Sequence, residues 1–224
     1  EAYGMTENCA YATSNSPENI KIGTVGIPAH GVELKLADDG EILIRSGGVF
    51  KGYFKDDQAT SETIDKDGWL HTGDVGIYEG DFVKIIDRKR DIIITSGGKN
   101  VSPSEIENKI KVSPFIKEAI VIGDRRKFLS VLIGIEFDTV SNWALRKNIP
   151  HTTYRDLSEK QEVKDLVWKE ISRANELTSS LEVREFRMIP KELDHEEGEL
   201  TATQKVKRNV LIDQFSDLIE EMYS

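Results

Sequence analysis

The first residues of the sequence place an aromatic ring, a glycine, a hydroxyl and a carboxylate close together, in the stretch Tyr3-Gly4-Met5-Thr6-Glu7. A nucleotide site can use these groups, because a ring stacks on a base, a hydroxyl contacts a phosphate oxygen and a carboxylate holds Mg²⁺. A strand end followed by a turn explains the same residues about as well. The stretch alone leaves both interpretations open.

An aspartate follows a Thr-Gly pair in GWLHTGD, residues 68–74. A carboxylate fixed after such a turn can accept two hydrogen bonds from vicinal ribose hydroxyls, although an aspartate there is usually a turn former. His71 lies between a tryptophan and the turn, which indicates a packing residue rather than a base. The four histidines and one cysteine have unrelated spacings, so no zinc site is predicted.

A group of basic residues lies near the end of the chain, in GELTATQKVKR at residues 198–208. Exposed Lys and Arg residues before a helix normally form a solvated face. A lysine on a flexible loop can also move onto a developing phosphate charge. The sequence pattern is compatible with both roles.

Five consecutive charges, Asp87 to Asp91, lie between two Ile-rich runs. Unpaired charges are costly to desolvate, so these residues should lie at the surface, where the backbone leaves one packed body and enters another. Gly97 and Gly98 follow, and glycines can adopt positive φ and allow another molecule to approach the backbone. A solvated connector and a turn would explain the same pattern.

The first half of the chain has the pattern of short antiparallel strands. Val32, Leu34 and Leu36 alternate with charged residues, and turns at residues 38–40 and 79–81 separate apolar runs. Residues 1–20 are small and polar, which favours loop. We therefore expect residues 1–89 to form a small antiparallel β-barrel or sandwich subdomain.

The second half, residues 90–224, is predicted to be an α+β domain, a small sheet with helices against it. Ser102-Pro103-Ser104-Glu105 is a capping box that should start a helix, with Ile106, Ile110 and Val112 on its apolar side. Ser158 and Gln161 form a second capping box, before a helix that extends toward Leu177. The expected strands cover residues 119–122, 131–135 and 185–189, and one final helix carries apolar residues from 210 to 222.

Composition limits the class of protein. The 224 residues include 30 basic and 40 acidic ones, a net charge of -10 that disfavours non-specific binding to nucleic acid or anionic lipid. One cysteine, Cys9, permits no internal disulfide and suits a cytoplasmic location. No apolar run approaches the roughly 20 residues of a membrane helix. The opening Glu1-Ala2-Tyr3 resembles an internal start, so we expect a fragment.

Taken together and in order, five motifs resemble the adenylate-forming acyl-CoA synthetase superfamily, and most closely the C-terminal portion of long-chain fatty-acid–CoA ligases. The resemblance covers nearly the whole chain. Its motifs are YGMTE (3–7), GEILIRSGGVFKGYFKD (40–56), GWLHTGD (68–74), DRKRDIIITSGGKNVSPSEIE (87–107) and GELTATQKVKR (198–208).

The resemblance implies two half-reactions with ATP, Mg²⁺ and coenzyme A. A fatty carboxylate attacks the α-phosphate of ATP and releases pyrophosphate, and the thiol of coenzyme A then attacks the acyl-adenylate and releases AMP. Tyr3 would stack on adenine, with Gly4 in the same nucleotide-binding stretch. Thr6 would contact the α-phosphate, and Glu7 would help to hold Mg²⁺.

The resemblance also assigns the later motifs. Asp74 would bind the ribose hydroxyls with help from Arg88, and Lys205 would stabilise the charge that develops on the phosphate during adenylation. The C-terminal domain would rotate about Arg90 between the half-reactions. The alternate orientation would remove the lysine and present Gly97 and Gly98 to the pantetheine tunnel.

The sequence departs from the family pattern at three positions. Ala202 replaces a usual proline, Gln204 replaces a glycine found in many relatives, and Lys99 replaces a frequent glutamate. The Ser/Thr/Gly-rich phosphate loop and most of the acyl pocket are not in these residues, so the chain alone is expected to be inactive. The acyl chain length is not encoded in the residues present.

Two other functions remain open at this point. A fatty acyl-AMP ligase, or an adenylation domain that loads a carrier protein, would share the fold without using coenzyme A. A non-catalytic domain that binds a nucleotide or a partner belongs to a different class. The oligomeric state and peripheral contact with a membrane through parts not shown are also left open.

Overall fold

The chain divides into two units at residue 92. The structure, a computed structural model, describes residues 1–177 and 182–224. The first unit is Glu1–Ile92 and the second is Ile93–Ser224. The boundary predicted from the sequence, between Lys89 and Arg90, lies just before this division.

The first unit consists of two antiparallel sheets and one α-helix. One sheet has the order β1-β2-β3, and the other has the order β4-β5-β6-β7. The elements are β1 (Ala2–Tyr3), β2 (Thr13–Ser14), β3 (Ile27–Pro28), β4 (Val32–Leu36), β5 (Glu41–Ser46), α1 (Asp57–Thr63), β6 (Leu70–Glu79) and β7 (Phe82–Arg88). This confirms the predicted antiparallel β subdomain, while β1 and β2 fall in a segment predicted to be mostly loop.

The core of the first unit follows from the strand pattern. Ile42 and Ile44 of β5 pack with Leu70 of β6 and Val83 of β7, and all four are fully buried. Helix α1 was not predicted. A local interaction nevertheless stabilises its start, because the side chain of the N-cap residue Asp56 accepts a hydrogen bond from the N–H of Ala59 at 2.9 Å.

The second unit is an α+β domain, as predicted. A two-stranded ladder precedes the main sheet, whose order is β10-β11-β12, with β10 and β11 antiparallel and β11 and β12 parallel. The elements are β8 (Ile93–Ile94), β9 (Asn100–Val101), α2 (Pro103–Ile110), β10 (Ile116–Ile122), β11 (Leu129–Ile135), α3 (Phe137–Arg146), α4 (Tyr154–Glu159), α5 (Gln161–Glu176), β12 (Val183–Met188), α6 (Arg208–Gln214) and α7 (Ser216–Glu221).

Both faces of the main sheet are buried. Ala119 and Val121 of β10 belong to a core with α2, α3 and α5, whereas Ile120 and Ile122 belong to a core with α6 and α7. Alternate residues of a strand point to opposite faces, so these two cores lie on the two sides of the sheet. Helices on both faces explain why every residue of β11 is buried.

Several local predictions in the second unit were wrong. Ser102 caps α2 as expected, but Ser158 lies inside α4, where its hydroxyl donates to the carbonyl of Arg155, and α5 has no side-chain cap. Val112 is exposed rather than packed. The single final helix is two helices, because the chain leaves helical geometry at Phe215. Helices α3 and α4 were not predicted.

No helix among the described residues is both long enough and apolar enough to cross a bilayer.

Candidate functional site

The carboxylate of Asp74 is the centre of a hydrogen-bonded cluster in the first unit. Asp74 on β6 pairs in register with Arg88 on β7, so their side chains meet. The guanidinium Nε of Arg88 lies 2.8 Å from Oδ1, and the hydroxyl of Tyr3 donates to Oδ2 at 2.5 Å. The structure thus brings together three residues that are separated by up to 85 positions in the sequence.

The Asp74 cluster (Tyr3, Asp74 and Arg88) has a buried anion and an exposed cation. The side chain of Asp74 is 9% exposed, and that of Arg88 is 51% exposed. Burial and the hydrogen bond to Asp74 raise the pKa of Tyr3 well above its usual value, so its hydroxyl remains a neutral donor. Each carboxylate oxygen can accept a further hydrogen bond, which is the capacity that a pair of vicinal hydroxyls requires.

The turn before Asp74 is fixed by side chains rather than by packing alone. The hydroxyl of Thr72 accepts from the N–H of Asp74 at 3.1 Å and donates to the carbonyl of Ile42 at 2.7 Å. Gly73 has φ +70, and its N–H donates to Oε1 of Glu41 at 2.9 Å. Glycine accepts this left-handed conformation without the penalty of a Cβ atom.

Glu41 was missed by the sequence analysis. It lies at the start of β5 and is 4% exposed, at the head of the buried run Glu41–Ile44. A carboxylate at such a position requires charge partners, and this requirement was the signal that could have revealed it. The partner is Lys89, whose ammonium lies 2.9 Å from Glu41 Oε2 and 2.6 Å from Asp39 Oδ2.

These ion pairs set the charge of both partners. Burial opposes ionisation of Glu41, but hydrogen bonds from Lys89, Gly73 and His71 outweigh it and hold the pKa of the carboxyl below its usual value. Asp39 and Glu41 raise the pKa of Lys89. The pair therefore stays charged throughout the physiological range.

Thr6 and Glu7 lie on a 3₁₀ turn, Thr6–Asn8, that follows β1. Thr6 is exposed, and Oε1 of Glu7 accepts a hydrogen bond from the hydroxyl of Tyr53 at 2.8 Å. This bond to Glu7 raises the pKa of Tyr53. A Cβ at Gly4 would lie 2.3 Å from the carbonyl carbon of Ala10, so close backbone packing requires a glycine there.

The Glu7 carboxylate is the candidate magnesium ligand. Within residues 1–177 and 182–224, no group of three or more His, Cys, Asp or Glu side chains could hold a metal ion. Mg²⁺ in phosphate-processing sites commonly uses one or two carboxylates together with substrate phosphates and water. A single carboxylate, that of Glu7, fits that kind of coordination.

The three basic residues of the charged segment are exposed, and Asp91 is half-buried. The side chains of Arg88, Lys89 and Arg90 are 51%, 47% and 83% exposed. Asp87, in contrast, is buried at the end of β7, and its carboxylate accepts from the N–H of Arg88 at 2.8 Å. The prediction that all five charges lie at the surface was therefore wrong at Asp87, whose buried carboxylate accepts a local hydrogen bond.

Gly97 and Gly98 lie in an exposed hairpin loop between β8 and β9 of the second unit. Gly98 has φ +75, and its N–H donates to the carbonyl of Thr95 at 2.9 Å. The N–H of Thr95 donates to the carbonyl of Lys99 at 3.1 Å, and the N–H of Lys99 donates back to the Thr95 hydroxyl at 3.2 Å. A Cβ would meet nothing at Gly98, so the loop surface is open there.

Lys205 lies at the corresponding position of a second hairpin with the same hydrogen bonds. The N–H of Gln204 donates to the carbonyl of Thr201 at 2.9 Å, and the N–H of Thr201 donates to the carbonyl of Lys205 at 2.8 Å. The N–H of Lys205 donates to the Thr201 hydroxyl at 3.0 Å. Gln204 has φ +60, the conformation that Gly98 adopts in the first hairpin, and the Lys205 side chain is exposed.

Two family models match the chain. The model described as AMP-binding enzyme C-terminal domain matches residues 90–224, and the model described as AMP-binding enzyme matches residues 1–54.

A curated relative matches the whole chain. It is the long-chain-fatty-acid–CoA ligase FadD15 of Mycobacterium tuberculosis, which is 38% identical over 227 residues. The match covers 100% of this chain and 38% of that protein. The chain therefore spans well under half the length of this relative.

Solved structures share the fold. The adenylation domain of a carboxylate reductase from Mycobacterium chelonae has a TM-score of 0.75 at 22% identity, over 99% of this chain and 34% of that one. The O-succinylbenzoate–coenzyme A synthetase of Bacillus subtilis, in complex with AMP, has a TM-score of 0.66 at 26% identity, over 94% of this chain and 40% of that one. The same synthetase is also known in complex with ATP and a magnesium ion.

Proposed function

The chain belongs to the AMP-binding enzyme family, and from that premise we propose that it serves the ATP-dependent conversion of a long-chain fatty acid to its coenzyme A thioester. The reaction would pass through an acyl-adenylate. The relative with 38% identity is a long-chain-fatty-acid–CoA ligase, which supports the choice of a fatty acid and of coenzyme A as substrates.

The observation that carries the proposal is the Asp74 cluster. The buried carboxylate of Asp74 has spare acceptor capacity, which suits the hydroxyls of a ribose. The aromatic ring of Tyr3, hydrogen-bonded to that carboxylate, suits a base, and the adjacent cation of Arg88 suits a phosphate. The synthetase of B. subtilis, which has the same fold, was solved with AMP and with ATP and magnesium. We therefore assign Tyr3, Asp74 and Arg88 to nucleotide binding.

Thr6 and Glu7 would act on the phosphates. In this assignment the exposed Thr6 hydroxyl donates to an α-phosphate oxygen, and the Glu7 carboxylate helps to hold Mg²⁺. The bound ion would supply positive charge to the phosphate oxygens. Gly4 would allow the turn that carries both residues to pack against Ala10.

Lys205 and the hairpin of Gly97 and Gly98 would serve the two half-reactions in turn. The carboxylate oxygen of the fatty acid forms a bond to the α-phosphorus while pyrophosphate leaves, and the Lys205 ammonium stabilises the charge that develops. In the second step the thiol sulfur forms a bond to the acyl carbon, and AMP leaves. We propose that rotation at Arg90 exchanges the two hairpins.

The test is a pair of assays on the complete gene product that contains these residues. ATP–pyrophosphate exchange that depends on a fatty acid measures the first half-reaction, and acyl-coenzyme A formed across a panel of chain lengths measures the second. Exchange together with long-chain acyl-coenzyme A is the expected result.

Other outcomes would replace the proposal. Exchange without acyl-coenzyme A, but with acyl transfer to a carrier protein, would indicate a carrier-loading adenylation domain. Nucleotide binding without exchange would indicate a non-catalytic domain. We expect residues 1–224 alone to be inactive in both assays.

A further inference from the structure

The carboxylate of Glu41 contacts two segments that the proposed function treats separately. Its Oε1 accepts the N–H of Gly73 at 2.9 Å, one residue before Asp74. Its Oε2 accepts from the ammonium of Lys89 at 2.9 Å, one residue after Arg88 and one before Arg90. One buried side chain therefore touches both the turn of the Asp74 cluster and the segment that leads to the proposed pivot.

The charges around Glu41 make this arrangement rigid. Asp39 lies 2.6 Å from the Lys89 ammonium, and Nδ1 of His71 lies 3.2 Å from Glu41 Oε2. Because Glu41 is almost fully buried, the loss of its partners would leave a desolvated charge, so its contacts are costly to break. By contrast, the side chain of Arg90 is 83% exposed, and the Asp91 carboxylate oxygen lies 3.9 Å from its Nε.

We propose that Glu41 is a positioning residue that holds Asp74 in place through the Gly73 N–H and anchors the chain at Lys89, so that domain rotation begins at Arg90. This inference rests on the proposed function. It adds a role for a residue that lies outside the nucleotide cluster itself. One carboxylate would thereby keep the nucleotide site unchanged while the residues beyond Lys89 move.

The experiment compares four variants of the complete gene product with the wild type. Glu41→Ala removes both contacts, Glu41→Gln retains an acceptor for Gly73 but removes the charge, and Lys89→Met removes only the ammonium. The control is Glu79→Gln, which also removes a carboxylate bound by two lysines, Lys21 at 3.1 Å and Lys84 at 3.3 Å, at the other end of β6.

Hydrogen exchange detected by mass spectrometry reports on the contacts of Glu41 with Gly73 and Lys89 without any assay of activity. Glu41→Ala should accelerate amide exchange both in residues 70–75 and in residues 88–91, whereas Lys89→Met should do so only in 88–91. Glu79→Gln should change neither segment. Faster exchange spread evenly over β4 to β7 in the Glu41→Ala variant would indicate general destabilisation and overturn the proposal.

Kinetics then separate positioning from stability. Glu41→Ala should raise the KM for ATP about tenfold, which corresponds to one hydrogen bond to a charged group. Lys89→Met should raise the KM for ATP less. Its larger effect should be on the ratio of the rate of thioester formation to the rate of adenylation. Glu41→Gln should restore the KM toward the wild type but keep the altered ratio.

An unchanged KM for ATP in Glu41→Ala, or identical kinetics in Glu41→Ala and Lys89→Met, would refute the proposal that Glu41 holds both Asp74 and Lys89 in place. A wild-type protein without ATP–pyrophosphate exchange would instead refute the proposed function. In that case the rates of amide hydrogen exchange in residues 70–75 and 88–91 would still decide whether Glu41 links these two segments.

Discussion

Gln204 is a residue in a conformation that suits glycine. It adopts φ +60 at the last turn position of the Lys205 hairpin, where Gly98 stands in the matching loop with φ +75. Three-residue hairpins commonly end on such a left-handed residue, because it closes the turn and allows the strands to pair. A side chain in this region costs about 1 kcal/mol relative to glycine.

The first prediction follows from this strain. Gln204→Gly should raise the free energy of unfolding by about 0.5–1 kcal/mol, since the left-handed penalty is removed. Ala202→Gly is the matched control in the same loop, and it should lower stability because Ala202 is not among the residues with positive φ. Urea titrations of the three proteins measure both changes, and equal effects of the two variants would contradict the account.

Lys205 differs from its neighbour Lys207 in the role that we assign to it. Lys205→Ala should reduce fatty-acid-dependent ATP–pyrophosphate exchange by about 10²–10³-fold, the usual loss when one donor to a developing charge is removed. Thioester formation from supplied acyl-AMP should be spared. Lys207→Ala, an exposed lysine two positions later, should change neither step more than about threefold. Equal loss of both steps in Lys205→Ala would exclude the proposed division of labour.

At the scale of elements, an ion pair fixes the start of α6 beside the Lys205 hairpin. Arg208 at the beginning of α6 donates to Glu107 Oε1 of α2 at 2.6 Å and to the carbonyl of Val121 on β10 at 2.9 Å. The two charged side chains are 21% and 13% exposed. Arg208 thereby connects the start of α6, which follows the Lys205 hairpin in the chain, to helix α2 and strand β10.

Removal of that guanidinium should therefore be costly. Arg208→Met should lower the free energy of unfolding of the chain by about 2 kcal/mol, since partly buried charged hydrogen bonds are lost. Arg155→Met breaks an exposed ion pair with Glu159 within α4, and should cost less than about 0.5 kcal/mol. Thermal and urea unfolding of both variants decide the matter. Similar losses would show that the Arg208 contact is worth no more than a surface ion pair.

The other end of the Lys205 hairpin is held by a buried carboxylate. Glu199 is fully buried, and its Oε1 lies 2.8 Å from the ammonium of Lys191. Burial opposes ionisation of Glu199, but hydrogen bonds from Lys191, the N–H of Asp194 and the side chain of Gln214 outweigh it and hold the pKa of the carboxyl below its usual value. A lowered folded-state pKa stabilises the protein above the unfolded-state value, and this stability is lost as the pH falls through the folded-state pKa.

The expected pH dependence follows directly. At pH values above about 4.5 the wild type should be more stable than Glu199→Gln, and the difference should shrink as the pH falls below that value. Urea titrations across the range measure it, with the exposed residue Glu196→Gln as the control. A stability difference that is constant with pH would mean that the Glu199 charge has no part in holding the loop.

Local signals explain which elements could be predicted from the sequence. The capping box at Ser102 worked because proline at the first helical position reinforces it. The same pattern failed at Ser158, because a preceding short helix had already enclosed that serine. The break at Phe215 has no turn residue to mark it, and Phe215 packs in a core with Ile120 and Ile122 of β10, which lie far away in the sequence.

The residues of the candidate site could be predicted from the sequence where they lie in motifs of the family. The resemblance assigned Tyr3, Asp74 and Arg88 to nucleotide binding, and the structure places Tyr3 and Arg88 in contact with Asp74, a pairing that the resemblance did not specify. Glu41 belongs to a quoted motif but was not singled out. Its role depends on the pairing of β5 with β6 and on a lysine 48 positions later, and neither can be read from local spacing.

For the whole molecule, the decisive question is whether the two units move relative to each other at Arg90. Lys89 to Asp91 form a 3₁₀ turn, with Arg88 in an extended conformation before it. Proline at position 90 would fix φ there and would disfavour helical geometry at Lys89, so it restricts the backbone at the proposed pivot. Arg90→Ala removes the same charge but leaves the backbone free.

The two variants therefore separate charge from backbone rotation. Arg90→Pro should slow thioester formation in the complete gene product about tenfold or more, while adenylation changes less, because the chain would no longer reach the second orientation readily. Arg90→Ala should retain both steps within about threefold, since an exposed charge contributes little. Single-turnover measurements of the two half-reactions give the comparison. If Arg90→Pro slows both steps equally, or if Arg90→Ala matches it, rotation about this residue does not separate the half-reactions.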